Sequence, residues 1–267
     1  MPIDTIVNHL AEDNAYLLVL TGAGISLASG IPTFRGPDPD AVWSKDTTEK
    51  GTRRYFQRDP VGSWKWYLPR FDMCKPVKPN AGHFAVTEIE GKLHRTGRRC
   101  LTMTQNVDGL HLAAGTANLI EIHGAARKMR CSSRTCSNGE PRGFLPWDDT
   151  LFAPFRADPS MTTLPRCPKC RKPIRAHVLW FDESYFSHED YGIRRFDEQE
   201  EHLTCVLIVG TSFSVGITDM VVNLARSWNL PAFIVDPNMT EPPEGAEGFT
   251  LIRETSETFL PRLAAAL

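Results

Sequence analysis

Four cysteines fall in two close pairs, Cys131-x4-Cys136 and, after 30 intervening residues, Cys167-x2-Cys170. Zinc prefers four thiolates in a tetrahedron, and close pairs supply them with little chain strain. Four cysteines also leave no open coordination position, so the metal chemistry expected here is structural. Gly22-Ala23-Gly24 follows the apolar run Leu17–Leu20. Glycines at 22 and 24 would let backbone N–H groups approach a pyrophosphate, with Ser26 just beyond. Leu27 stands where the usual dinucleotide fingerprint has its third glycine, and many strand-to-helix turns carry Gly-x-Gly for steric reasons alone. Gln105, Asn106 and Asp108 follow a second apolar run and could satisfy a carboxamide and ribose hydroxyls in a closed pocket. An Asn-x-Asp-Gly stretch is also an ordinary polar turn. His123 titrates in the range suited to proton transfer near neutrality, although a lone histidine is more often structural. Gly210, Thr211, Ser212 and Ser214 offer amides and hydroxyls after a third apolar run, and Asp236 ends a fourth. Acidic residues at strand ends hold ribose hydroxyls in dinucleotide folds.

Taken together these blocks carry a resemblance. The run TGAGISLASGIPTFRG (residues 21–36), TQNVDGLH (104–111), EIHG (121–124) and GTS (210–212) resembles the signatures of the sirtuin family, NAD-dependent protein-lysine deacylases. The blocks stand in family order across nearly the whole chain. The resemblance implies that Asn106 and Asp108 bind the nicotinamide end of NAD and that Gln105 contacts its ribose. It implies that Phe34 and Arg35 form a mobile pair over the cofactor, and that His123 is the general base. It also implies the reaction: the acyl-lysine carbonyl oxygen attacks the anomeric carbon and expels nicotinamide. His123 then deprotonates a ribose hydroxyl, which attacks the resulting alkylimidate to give free lysine and O-acyl-ADP-ribose. Acylated-lysine proteins or peptides are the implied partners, NAD the co-substrate and Zn2+ the structural metal.

Three departures from the family pattern stand out. Family members usually have two residues between the first two cysteines, where this chain has four. In the segment Arg175–Glu183, the place of the family's substrate strand, Asp182 stands where a glycine is usual. Val178 of that segment would line the acyl-lysine tunnel, with the substrate peptide adding as a strand. Asp236 replaces a usual asparagine. In addition, Tyr67 and Arg70 have the Tyr-x-x-Arg spacing by which some sirtuins read the carboxylate of an acidic acyl group, and arginine is the natural bidentate partner. Pro69 between them is expected to disturb a helix that would place both on one face.

The elements that must position these groups are legible as apolar runs and turn signals. A helix is expected over about residues 4–13, strands at Tyr16–Leu20, Cys100–Met103, Leu119–Ile122, Leu203–Val209 and Ala232–Val235, and helices from Asn80 to about Thr96, near Thr218–Trp228 and over Thr255–Leu267. Strands alternating with helices predict an α/β fold: a Rossmann-like parallel sheet with helices on both faces. Two stretches break the alternation. Residues 128–175, rich in Cys, Pro, Arg and Ser, read as a small inserted zinc-binding module. Residues 37–79 read as a helical or loop insertion at the cofactor and acyl pocket. That leaves 1–36, 80–127 and 176–267 for the NAD-binding domain.

The 267 residues are 41% hydrophobic and 23% charged, with a formal net charge of −2. This gives no electrostatic reason to expect nucleic-acid or membrane binding. No apolar run approaches the ~20 residues that a bilayer needs, and no signal-peptide pattern opens the chain, so a cytoplasmic location is expected. The odd number of cysteines, seven, fits a reducing compartment with a metal site better than a disulfide framework. Cys100 and Cys205 sit in apolar runs and read as inert buried thiols. Competing readings are an ADP-ribosyltransferase or NAD hydrolase on the same scaffold, or a non-catalytic NAD-sensing module.

Overall fold

The computed structural model describes residues 2–32 and 47–267. Phe34 and Arg35 lie outside the described residues. Six parallel strands form the main sheet in the order β3-β2-β1-β7-β8-β9: β1 (Tyr16–Thr21), β2 (Arg99–Thr104), β3 (Leu119–Glu121), β7 (Cys205–Val209), β8 (Ala232–Val235) and β9 (Thr250–Ile252). The winding reverses between β1 and β7, and ligands in open α/β sheets bind at the carboxyl ends of strands at such a reversal. Every residue of β1 and β7 is buried, which is why both read as continuous apolar runs rather than alternating ones.

Each face of this sheet carries its own core. On one side α1 (Pro2–Leu10), α5 (Ala81–Arg95) and α10 (Ser256–Ala266) cover Leu17, Val19, Leu207 and Val235. Asn80 caps α5 by accepting from the backbone N–H of Gly82, as the sequence leads one to expect. On the other side α8 (Ile193–Asp197) and α9 (Gly216–Ser227) cover Leu18, Leu20, Val206 and Ile208. A short α6 (Leu110–Ala114) follows the loop after β2. Among the described residues no helix is long and apolar enough to cross a membrane.

A second, three-stranded sheet holds β4 (Gly124–Cys131), β5 (Leu145–Pro146) and β6 (Ile174–Val178), with β4 antiparallel to both neighbours. Near it lie α2 (Thr47–Lys50), α3 (Arg53–Arg58), α4 (Pro60–Cys74) and α7 (Asp149–Ala157). Trp64, Phe71, Met129, Phe152, Phe155 and Trp180 interlock with Cys131, Cys136 and Cys167 in a third core. The stretch around the aromatic insertion and the cysteine-rich stretch therefore share one interior. Pro69 sits inside α4 without ending it, a correction to the expected disturbance. The proline forgoes one helical hydrogen bond, but the buried face of Trp64, Tyr67, Leu68 and Phe71 holds the helix in register across it.

Candidate active site

Two loops meet at the reversal point, and their backbones touch. The N–H of Gly22 donates to the Val209 carbonyl at 3.0 Å and that of Gly24 to the Gly210 carbonyl at 2.8 Å. A Cβ on Gly24 would lie 2.6 Å from the Gly210 Cα, and Gly210 itself holds φ of +59°. These glycines thus serve loop-to-loop approach, and their N–H groups are spent on the neighbouring loop. The amides of Gly22 and Gly24 are committed between the loops, and those of their neighbours are the ones left to a ligand. Both residues still line a cavity of about 920 Å³, together with Ala23, Ser26, Gln105, Asn106, Asp108, His123, Thr211, Ser212 and Asp236.

The polar groups lining this cavity are fixed by three sets of hydrogen bonds. Asn106 donates through Nδ2 to the Gly22 carbonyl and to Ser26 Oγ, each at 3.0 Å. Ser26 Oγ donates in turn to Asp108 Oδ2 at 2.8 Å. The other oxygen of Asp108 accepts the N–H of Leu110 at 2.9 Å, so the carboxylate also secures the start of α6. Burial raises the Asp108 carboxyl above its ordinary pKa, against the pull of those two donors. Gln105 Nε2 donates to Thr211 Oγ1 at 3.1 Å, tying the loop after β2 to the loop after β7. Asp236 Oδ1 accepts from the N–H groups of Asn238 and Met239 at 2.8 and 3.0 Å, shaping the loop after β8.

His123 sits on the cavity wall between β3 and β4. Its backbone carbonyl accepts from the N–H of Leu179, just beyond Val178, so the proposed base and the proposed substrate strand are fixed to each other. Ring Nδ1 lies 2.9 Å from the Gln105 carbonyl. A carbonyl only accepts, so in the neutral ring Nδ1 carries the proton and Nε2 holds the lone pair. Burial pushes the pKa of the ring down to about 4, which keeps it neutral near pH 7.

Val178, Tyr67 and Arg70 line the same cavity. The Tyr67 hydroxyl accepts from Trp180 Nε1 at 2.8 Å, leaving its own hydrogen to donate. The Arg70 guanidinium stacks over Trp66 at 4.1 Å, donates through Nη1 to the Trp66 carbonyl at 2.7 Å, and leaves Nε buried without a partner. Partial burial lowers its pKa, offset only by Tyr67. No carboxylate of the chain is hydrogen-bonded to it among the described residues.

The four cysteine sulfurs lie within 4.8 Å of one another. Zn–S bonds of ~2.3 Å in a tetrahedron put the sulfurs ~3.8 Å apart, and the pairs Cys131–Cys170 and Cys136–Cys167 stand at 3.3 and 3.7 Å. The Ser133 N–H and Asn138 Nδ2 point at Cys131 and Cys167 sulfurs, as donors do around thiolates. The donor set fits zinc, and the longer first spacing is absorbed by a turn in which the Cys136 N–H donates to the Ser133 carbonyl at 3.4 Å.

Several contacts escape sequence reading. Asp182 accepts the N–H groups of Arg53 at 2.7 Å and Arg54 at 3.2 Å, capping α3 from 129 residues away. Glu183 sits among Arg175, Arg130 and Arg53. Burial would raise its carboxyl, but those guanidinium groups hold it at about 2. Tyr185, which belongs to no motif, brings its hydroxyl to 3.4 Å from His123 Nε2.

A family model described as the Sir2 family matches residues 22–216. The chain is 36% identical over 210 residues to the NAD-dependent protein deacylase sirtuin-5, mitochondrial, of Canis lupus familiaris, covering 74% of this chain and 64% of that protein. It therefore spans less than two thirds of the length of that relative. It is 38% identical over 208 residues to an NAD-dependent protein deacylase of Thermus thermophilus, covering 76% of this chain and 72% of that protein. Among solved structures, a Sir2 homolog–NAD complex superposes with a TM-score of 0.75 at 29% identity, over 98% of this chain and 92% of that one. With four motif blocks, the sheet order and the cysteine cluster in agreement with that match, the chain belongs to the Sir2 family.

Proposed function

We propose that this chain removes acyl groups from protein lysine at the expense of NAD, transferring the acyl group to ADP-ribose with release of nicotinamide. One observation carries the reading: a neutral imidazole with its lone pair on Nε2 shares a single cavity with the Asn106–Ser26–Asp108 network and the crossed glycine loops. The names of the relatives, NAD-dependent deacylases and an NAD complex, support the same direction.

In this reading Asn106 and Asp108 orient the nicotinamide end, while Gln105, Thr211, Ser212 and Asp236 hold ribose and phosphate along the carboxyl ends of β2, β7 and β8. NAD supplies the electrophilic anomeric carbon. His123 takes the ribose hydroxyl proton at Nε2, and the side chains at the cavity exclude water from the reacting centre. The family resemblance assigns Phe34 and Arg35 to the cofactor, and Cys131, Cys136, Cys167 and Cys170 would hold a structural zinc. The compartment is the cytoplasm.

We further propose that the acyl group includes acidic ones such as succinyl and malonyl. Tyr67 has a hydrogen to donate and Arg70 an unpartnered buried Nε, so the tunnel offers an acyl carboxylate the charge-assisted pairing that a buried anion requires. Incubation with NAD and acetyl-, succinyl- and long-chain acyl-lysine peptides, read by mass, tests both statements. Free lysine with O-acyl-ADP-ribose is the expected result. ADP-ribosylated protein, or ADP-ribose without peptide change, would replace deacylation by transferase or hydrolase activity.

A further inference from the structure

Tyr185 opens a short turn, Tyr185–Ser187, in the irregular stretch after Glu183. Its ring stacks against that of His123, with centroids 5.9 Å apart and planes 19° from parallel. Since Nδ1 of His123 is committed to the Gln105 carbonyl, the lone pair of Nε2 faces the Tyr185 hydroxyl, which must then be the donor. Burial raises the pKa of the phenol, and the backbone N–H of Ile217, in the first turn of α9, acts against that rise. The hydroxyl therefore stays protonated near neutrality and is directed at His123. Both rings line the cavity. A phenylalanine would stack equally well, so packing alone gives no reason for the hydroxyl.

We propose that Tyr185 is a positioning residue for the deacylation reaction, acting through His123. The inference rests on the reading of His123 as general base. In the resting site the phenolic O–H holds Nε2 toward the cavity. An incoming ribose hydroxyl displaces that hydrogen and gives its proton to Nε2, while the electron pair left on the sugar oxygen forms the new bond to the acyl carbon of the alkylimidate, whose C=N π pair moves onto the lysine nitrogen. The imidazolium now carries N–H at both nitrogens. Gln105 accepts one, and the phenolic oxygen, its hydrogen turned aside, accepts the other. Tyr185 is neutral before and after. In a site where burial drives the ring toward its neutral form, a fixed acceptor for the second N–H stabilises the charge that the step creates.

The experiment compares Tyr185→Phe, His123→Ala and wild type in two assays. O-acyl-ADP-ribose formation needs the base, whereas exchange of labelled nicotinamide into NAD reports the step before it. Tyr185→Phe should lower kcat for product about ten-fold, a fraction of what a general base contributes, with KM for NAD and peptide within about two-fold. Nicotinamide exchange should persist, so the ratio of exchange to turnover rises about ten-fold. Turnover unchanged in Tyr185→Phe, or exchange falling in parallel with it, overturns the inference. Wild-type turnover retained in His123→Ala would instead overturn the reading of the base. Imidazole nitrogen NMR supplies a readout without substrate: the Nε2 resonance of His123 should move in Tyr185→Phe while Nδ1 stays. An unmoved Nε2 resonance also overturns the inference.

Discussion

Arg70 is a cation whose surroundings are an indole face, a backbone carbonyl and the open cavity. A half-buried guanidinium whose buried Nε is idle carries a desolvation cost that a partner would offset. The expected consequence is discrimination: Arg70→Met should lower the succinyl-to-acetyl ratio of kcat/KM by at least about ten-fold, since losing one partner of a buried pair costs several kcal/mol. An unchanged ratio, measured with matched peptides, would leave Arg70 as a packing residue. His123 bears on a different variable. With its pKa pushed down to about 4, the ring is neutral throughout the physiological range. Its resonances in the unliganded protein should therefore show no titration between about pH 5.5 and 8, where an exposed histidine would show its midpoint near 6.5. The roles of both residues were suggested by motif and spacing. Tyr185 was not, because its partner lies 62 positions away and nothing local in Ser-Tyr-Phe-Ser announces it.

At the scale of elements, Phe181, Asp182 and Glu183 grip the turn that starts α3. Phe181 N–H donates to the Gly51 carbonyl at 3.0 Å, Asp182 takes two first-turn amides, and Glu183 takes the Arg53 guanidinium. A carboxylate at a helix N-terminus stabilises by about 1 kcal/mol, and here it also fastens the insertion to the segment that follows β6. Asp182→Gly should speed amide exchange at Arg53 and Arg54 and loosen α3, while Asp182→Asn, which keeps one acceptor, should recover much of the protection. Equal exchange in all three proteins would reduce Asp182 to a surface charge. The departure from the family's glycine was plain in the sequence, but its physical reason was not, because capping partners 129 residues apart leave no local signal. The main strands were legible because both faces are covered and β1, β7 and β8 are almost wholly apolar. β4 was not, since Arg130 is buried there as part of an ion cluster and breaks any apolar pattern. The helices of the aromatic insertion hid for a related reason: their buried rings pack against the cysteine-bearing core, with Pro69 in the middle. β9, three residues at the sheet edge, was too short to signal.

Across the whole molecule, five histidines have depressed pKa values: His83, His123 and His177 at about 4, His111 at about 3, and His188 below its ordinary value, each lowered first by burial. Unfolding returns each to about 6.5, so below that pH the unfolded chain binds more protons and stability falls. Full stability is expected above about pH 6.5, with loss accumulating as pH drops toward 4. A denaturation midpoint independent of pH over that window would contradict this assignment. The metal acts on the same global scale. One zinc per chain is expected, and chelation should unfold protein rather than inhibit it reversibly; stoichiometric metal analysis and circular dichroism after chelation check both. The ion cluster described above explains why the effect should spread. Glu140, from the loop after Cys136, pairs with Arg130 at 3.2 Å and with Arg53, while Arg130 keeps only a 3.4 Å contact to Glu183. Releasing the cysteines would withdraw Glu140 and strand a fully buried guanidinium in the core that also walls the cavity. Metal supply would then govern how many molecules survive cellular proteolysis rather than how fast each one turns over.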